Sequence, residues 1–284
     1  MINFMVNNKP VNMKLKYTFS FIAVLAFAIG CTTNPFTGKQ TLALVPNSQI
    51  LPMAFQQYDE FLSQNKVITG TAQSNMVKSV GQNISVAAER YLTANGYAGY
   101  LKDYQWEYNL VQDEAVNAWC MPGGKIVFYT GIMPIAENEA GVAAIMGHEV
   151  AHALANHGQQ RMSAGQLQAL GAVAGNIALS NDPKNQNIFN QAYGIGSTVG
   201  VMLPFSRNHE TEADRIGLTL MAIAGYDPIV GARLWERMSA AGGGAPPEFL
   251  STHPSNQTRI NNIMQWAPEA KAEAKKYGVT SFKK

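Results

Sequence analysis

The stretch Gly147-His148-Glu149-Val150-Ala151-His152 decides how this chain is read. It lies in an Ala-rich apolar segment, residues 138–157, that reads as a helix. Residues four apart on a helix lie one above the other, so His148 and His152 share a face and can grip one metal ion. Glu149 flanks the same site. Two imidazole ligands and a carboxylate base at this spacing form the H-E-x-x-H arrangement of zinc-assisted hydrolysis. So short a pattern also arises by chance, and the surroundings must supply the rest of a site.

A catalytic zinc takes three protein ligands and leaves a fourth position for water. The longer H-E-x-x-H-x-x-G-x-x-H pattern would need glycine at Ala155 and histidine at Gly158, and both positions fail. His157 is one residue off, and on a continuous helix it is rotated by about 140° from His152. It is assigned to structure or to the helix C-terminus, where a cation is favoured. A later helix, opening at Pro204-Phe205-Ser206 with Ser206 as N-cap and stopping at Gly225, offers Glu210 and Glu212. Glu210 has Asp214 four residues on, and a metal-bound histidine usually donates its second N–H to a carboxylate. Glu210 is therefore taken as third ligand and Asp214 as the group orienting His148. Glu212 points about 160° away and is expected to pair with Arg215 or solvent. The expected cofactor is one Zn2+ per chain on His148, His152 and Glu210, with Glu149 as general base.

The chain has 284 residues, 46% of them hydrophobic and 14% charged, enough for one large domain with extensions. Its formal charge is +2, but residues 1–30 carry Lys9, Lys14 and Lys16 and no acid. No basic stripe appears, so no nucleic-acid partner is expected. Lys14 and Lys16 precede a nearly uninterrupted apolar run of about twelve residues, too short to span a bilayer and suited to a signal peptide at 1–30. Met13 is a second candidate start. Ala28-Ile29-Gly30-Cys31 has the small-residue pattern of a bacterial lipobox, making Cys31 a candidate lipidation site and membrane anchor. With Cys31 lipidated, Cys120 has no disulfide partner and reads as a small core residue. Residues 31–46 read as a tether and 47–284 as the domain.

A helix is expected over 48–63, and Met76, Val77, Val80, Ile84, Ala87, Ala88 and Tyr91 keep helical spacing. Tyr104, Trp106, Tyr108 and Leu110 alternate as a half-buried strand, and a second strand covers 125–130. Between them, Asn117-Ala118 and Pro122-Gly123-Gly124 suit a hairpin or an edge where an extended peptide can pair. Residues 163–179 and 188–203 read as a small-residue helical hairpin packed on the body, with Gly171/Gly175 and Gly196/Gly200 at the close approach. Asp227-Pro228 opens a helix reaching Met238, and Gly242-Gly243-Gly244 is a flexible loop. His253-Pro254 leads into a helix with Arg259 and Ile260, followed from Pro268 by a frayed surface tail. The fold class is α+β, mainly helical, with a small antiparallel or mixed sheet beside the motif helix.

The His148–His152 motif, the Glu210-x-x-Ala213-Asp214-x-x-Gly217 run, Asn117-Ala118, Pro122-Gly123-Gly124, His253-Pro254 and Arg259 together resemble the HtpX-like/CAAX prenyl protease family of gluzincins. The resemblance covers roughly residues 71–266 and favours the bacterial envelope lipoprotein branch that includes BepA. It implies a zincin-like fold, zinc on His148, His152 and Glu210, and Glu149 as base. It makes the strand after Gly124 the substrate-aligning edge, so that Asn117, Gly123, Gly124, Lys125 and Ile126 contact an extended polypeptide. His253 would either approach the zinc and restrain activity or donate to the oxyanion, a role for which Arg207 is the other candidate. The implied protein is an endopeptidase of the bacterial envelope, at the periplasmic face, lipid-anchored through Cys31 and clearing misfolded or unassembled proteins. The alternative is a chaperone-like outer-membrane assembly factor with a self-inhibited zinc site.

Overall fold

The computed structural model describes residues 31–241, 248–253 and 257–284. The expected leader at 1–30, the Gly242-Gly243-Gly244 loop and Pro254 lie outside the described residues. Cys31–Thr33 (β1) and Gln40–Leu42 (β2) pair as a hairpin. Asn47–Gln64 (α1), Val67–Ile68 (β3) and Ala72–Ala94 (α2) follow, then Glu107–Val111 (β4), Ala118–Met121 (β5) and Lys125–Tyr129 (β6). The rest is helical: Met133–Ala136 (α3), Glu139–Leu154 (α4), His157–Ala178 (α5), Pro183–Ser197 (α6), Leu203–Ile223 (α7), Val230–Ala240 (α8), Glu248–Thr252 (α9) and Gln257–Lys275 (α10).

Helix α4 sits at the centre because its sequence leaves it no exposed face. Asn138 caps it, its Oδ1 accepting from Gly141 N at 3.0 Å. From Ala140 to Leu154 every residue except Ala144 is buried, the mark of a helix surrounded by its own fold. Helix α7 crosses α4 where Gly147 meets Gly217. A Cβ on Gly217 would lie 2.8 Å from Gly147 C and 2.9 Å from His148 N, so the two backbones touch with no side chain between them. Helix α4 ends at Ala155 because Asn156 adopts a left-handed backbone (φ 57°, ψ 32°), a conformation asparagine tolerates. The expected continuous helix through His157 is therefore two helices with a sharp joint.

The four-stranded sheet runs β3-β4-β6-β5 and is mixed: β4 and β6 are parallel, and the other pairs antiparallel. The strand after Gly124, expected as the edge, is β6 and is paired on both sides. The edge beside α4 is β5. One sheet face joins the main core with α2 and α4, and the other carries α1, where Tyr58 donates to the Ile126 carbonyl at 3.0 Å.

Other expectations are also corrected. Residues 31–46 are no loose tether: Phe36 stacks on Tyr91, Asn34 is 1% exposed, and Ser163 Oγ accepts from Leu44 N. Ser206 is not an N-cap, because α7 begins at Leu203, continuous with a π-helical turn at Thr198–Met202. The tail is docked rather than frayed: Ala267, Ala270 and Ala274 are buried on α10, and Asp227 N donates to the Lys283 carbonyl. The α5–α6 hairpin closes on itself at Gly171 and Gly175, whose missing side chains admit Tyr193 and Phe189. Gly196 and Gly200 meet nothing within 4 Å. Beyond Ser163 no residue of α5 is buried, nor any of α6, so the hairpin stands off the body instead of packing on it. No described helix is long and apolar enough to cross a membrane.

The glycine crossing gives a direct test. Gly217→Ala pushes a methyl into the α4 backbone, and overpacking of this kind costs about 1–3 kcal/mol. Chemical denaturation should show that loss, together with weakened zinc retention. Unchanged stability would mean that the helices separate freely.

Candidate active site

The crossing of α4 and α7 sets the geometry. Counting back from Gly217, Asp214 is three residues and Glu210 seven residues earlier, one and two helical turns. Both therefore face the stripe of α4 that carries His148 and His152. His148 Nε2 and His152 Nε2 are 3.1 Å apart, and Glu210 places Oε2 at 3.4 Å from the first and Oε1 at 3.3 Å from the second. His253, just beyond α9, brings Nδ1 to 3.1 Å from His148 Nε2 and 2.9 Å from Glu210 Oε2. One donor atom from each of the four lies within 4.8 Å of the others.

Behind these donors is a buried outer layer. Asp214 Oδ1 lies 2.9 Å from His148 Nδ1, where an orienting carboxylate belongs. Arg259 of α10 grips Asp214 through Nε at 2.5 Å and Nη2 at 2.7 Å, and reaches Glu210 Oε2 at 3.2 Å. Its guanidinium lies over the Trp235 ring at 3.6 Å. His157, fully buried, sets Nδ1 at 2.9 Å from His152 Nδ1 and Nε2 at 3.0 Å from Glu212 Oε2.

Two observations show that this donor set fits a divalent cation. Buried Glu149, Glu210 and Asp214 set three carboxylates against one guanidinium, leaving a formal charge of −2 once His148 has given up its proton. Among the described residues, Glu149 Oε1 and Glu210 Oε1 are buried with no hydrogen-bond partner, although His253 Nε2 stands 3.5 Å from the first and His152 Nε2 3.3 Å from the second, an arrangement that a bound cation would relieve.

The profile of Peptidase family M48 matches residues 81–267. The chain belongs to peptidase family M48. It is 38% identical to the mitochondrial metalloendopeptidase OMA1 of Schizosaccharomyces pombe over 192 residues, 67% of this chain and 54% of the relative. It is 29% identical to the OMA1 metalloendopeptidase of Danio rerio over 265 residues, 88% and 53%. It is 24% identical to the beta-barrel assembly-enhancing protease of Escherichia coli over 241 residues, 83% and 47%. The chain spans about half the length of these relatives. Zinc is the ion that M48 membership and the His/His/Glu donors together require.

Within this M48 site, several expected contacts fall elsewhere. Gly123 and Gly124 form the β5–β6 turn with φ +86° and +85°, and pack against Phe55 and Trp106. Lys125 pairs with Glu107 at 3.0 Å and lies over the Phe55 ring, and Ile126 is buried in the central strand. These four serve the sheet, and of the expected contacts only Asn117, at the start of β5, lies on the edge. Asn117 O accepts from Tyr129 N and Met121 O from Gly124 N, so antiparallel alternation turns the backbone of Ala118 and Cys120 outward. A cleft of about 150 Å³ runs from this edge to the metal donors, lined by Cys120, Met121, Pro122, His152, Gln159 and Arg161. Cys120 therefore borders the cleft as well as the core, and burial pushes its thiol up. Arg207 is exposed on α7, outside the buried cluster. Glu212 pairs with His157, and Arg215 pairs instead with Glu269 at 3.2 Å.

Sequence reasoning missed three parts. Arg259 stands at a buried position beside Ile260, but nothing in the sequence says which carboxylate it meets. The pairing of His157 with Glu212 depends on the break at Asn156. Arg161 reaches the cleft from α5, a helix whose register only that break sets.

The electrostatics divide the residues by role. Burial raises Glu149 above the usual carboxylate range, as suits a group that must both take and give a proton. Burial also raises Glu210, but the neighbouring imidazoles of His148, His152 and His253 outweigh it and hold the carboxylate ionised. Burial and Arg259 push His148 down, yet Asp214 and Glu210 prevail and lift it to about 9. A metal ion must therefore displace a proton from His148 at neutral pH. Zinc affinity, measured by chelator competition, should rise with pH through neutrality and level off only above about 9, once that proton is gone. A flat profile would contradict this ordering.

Proposed function

We propose that this chain is a zinc-dependent endopeptidase that binds extended polypeptide along β5 and hydrolyses it beside His148, His152 and Glu210. The observation that carries this reading is Glu149 Oε1, buried with no hydrogen-bond partner, 3.5 Å from His253 Nε2 and next to a convergent donor set. A bound zinc ion polarises a carbonyl and lowers the pKa of a water toward neutrality. Glu149 is placed to accept the water proton and, with its raised pKa, to return it to the leaving amine. The outward backbone of Cys120 and the carbonyl of Ala118, whose N–H donates to Asn117 Oδ1 at 2.9 Å, would pair with a substrate strand and bring the scissile bond down the cleft to His152. Asp214 and Arg259 hold the imidazole of His148 so that Nε2 faces the donors.

Glu149→Gln keeps the shape and removes the base. It should retain zinc and lose about 10²–10⁴-fold in peptide hydrolysis; activity at the parental level would end the peptidase reading. We further propose lipid attachment at Cys31 and action on misfolded or unassembled proteins of a bacterial envelope. The exposure of Cys31, the lysines of the leader and similarity to the bacterial assembly-enhancing protease support this. Comparing new protein N-termini in cells carrying the parent and Glu149→Gln tests it, and an unmodified mature N-terminus other than Cys31 removes the anchor.

A second reading, a self-restrained assembly factor, is favoured by the position of His253. Its Nδ1 lies within the donor cluster, and Phe249 N in the same segment donates to Val116 O on the outward side of the edge at 3.0 Å. Helix α9 thus holds His253 where water or substrate would enter. His253→Ala should raise peptide turnover if this contact restrains the site. A fall would make His253 an oxyanion donor, and no change would make it structural.

A further inference from the structure

We infer that His157, Glu212 and Asn34 form a hydrogen-bonded chain that fixes the metal-binding tautomer of His152, which makes the β1–β2 hairpin part of the metal site. The inference rests on the zinc site described above and concerns residues outside its ligand set.

The argument follows protons. His152 Nε2 faces Glu210 Oε1 at 3.3 Å and His148 Nε2 at 3.1 Å, so this nitrogen must offer a lone pair to a metal. A neutral imidazole carries one proton, which then sits on Nδ1. That nitrogen is 2.9 Å from His157 Nδ1. Two ring nitrogens at this distance form a hydrogen bond only when one accepts, so His157 receives at Nδ1 and carries its own proton on Nε2. His157 Nε2 in turn donates to Glu212 Oε2 at 3.0 Å. Asn34 Nδ2 donates to the other oxygen, Glu212 Oε1, at 3.1 Å. The Asn34 amide is itself oriented, because its Oδ1 accepts from Phe36 N at 2.9 Å. With the protons reversed, an imidazole lone pair would face the Glu212 carboxylate and a proton would occupy the metal position. With a metal held between His152 Nε2 and Glu210, only the first assignment satisfies every atom.

Packing fixes this chain as firmly as charge does. His157 is 0% exposed and Asn34 1%, so water does not substitute for either. The His157 ring stacks on His209 at 4.0 Å and 10°, and His209 Nε2 is 3.1 Å from Gln160 Oε1. His148 is oriented directly by Asp214, whereas His152 is reached through an imidazole and a carboxylate anchored from 178 residues away in sequence. Asn34 lies three residues after Cys31, in the turn between β1 and β2. Loosening the hairpin therefore loosens the second ligand.

The test measures zinc affinity by competition with a chromophoric chelator and, separately, the melting temperature of each zinc-free protein. His157→Phe keeps the ring and removes both hydrogen bonds. It should weaken zinc binding about 10–100-fold while the zinc-free melting temperature holds. His157→Gln, which retains a donor and an acceptor, should recover part of the loss. Glu212→Ala, at a site closer to solvent, should reproduce it, and Asn34→Ala should give a smaller loss that disappears in the Glu212→Ala background. Unchanged affinity in His157→Phe and Glu212→Ala overturns the inference. So does a loss matched by an equal fall in zinc-free stability, or a loss from Asn34→Ala that adds fully to that of Glu212→Ala. A parent protein with no stoichiometric zinc would instead defeat the metal-site reading itself.

Discussion

The contact between Gly147 and Gly217 is the constraint on which the rest depends. Two helices cross with their backbones touching, and only glycine on both sides permits it. This closeness lets Glu210 and Asp214 reach the histidine face of α4 from a different helix. A side chain at either position would widen the gap, and ligand distances near 3 Å have no slack for that. The geometry of the site is therefore set by backbone packing as much as by electrostatic attraction.

That packing also seals the site. Three carboxylates and a guanidinium lie in a place where charge is unfavourable unless paired. Arg259 joins the problem to its solution: it arrives on α10, rests on Trp235, and neutralises Asp214 and Glu210 together. Helices α8 and α10 thus close the back of the cluster, while β5 and α9 border its front. The remaining negative charge faces inward, toward the ligand nitrogens.

Much of this was legible in the sequence where spacing alone determines geometry. His148 and His152 fall four apart, and Glu210 and Asp214 likewise, so each pair shares a helix face whatever the tertiary fold. What was not legible depends on single backbone angles or on pairings between distant segments. A left-handed Asn156 turns His157 back onto His152, and asparagine adopts that conformation without any sequence signal strong enough to announce it. Glu212 was matched with Arg215 by proximity along the chain, but Arg215 has Glu269 within reach on α10. Strand order was hidden for a related reason. Alternation marks β4 and β6 as strands, but β5 is four residues long, and nothing in the run from Asn117 to Gly124 says that β6 pairs with β4 on its other side.

The brevity of β5 has its own consequence. On the proposed reading, an edge of four residues, with α9 bonded to Val116 just ahead of it, offers a substrate few backbone hydrogen bonds. Recognition on such a platform discriminates weakly between sequences. It discriminates strongly between states of the same sequence, because a chain must first release several residues from its own fold to lie against the strand. The free energy of that local opening adds to the barrier for cleavage, and it is large for a well-packed protein and near zero for a frayed one. If substrate docks on β5 as proposed, so short an edge gauges how firmly that substrate is folded.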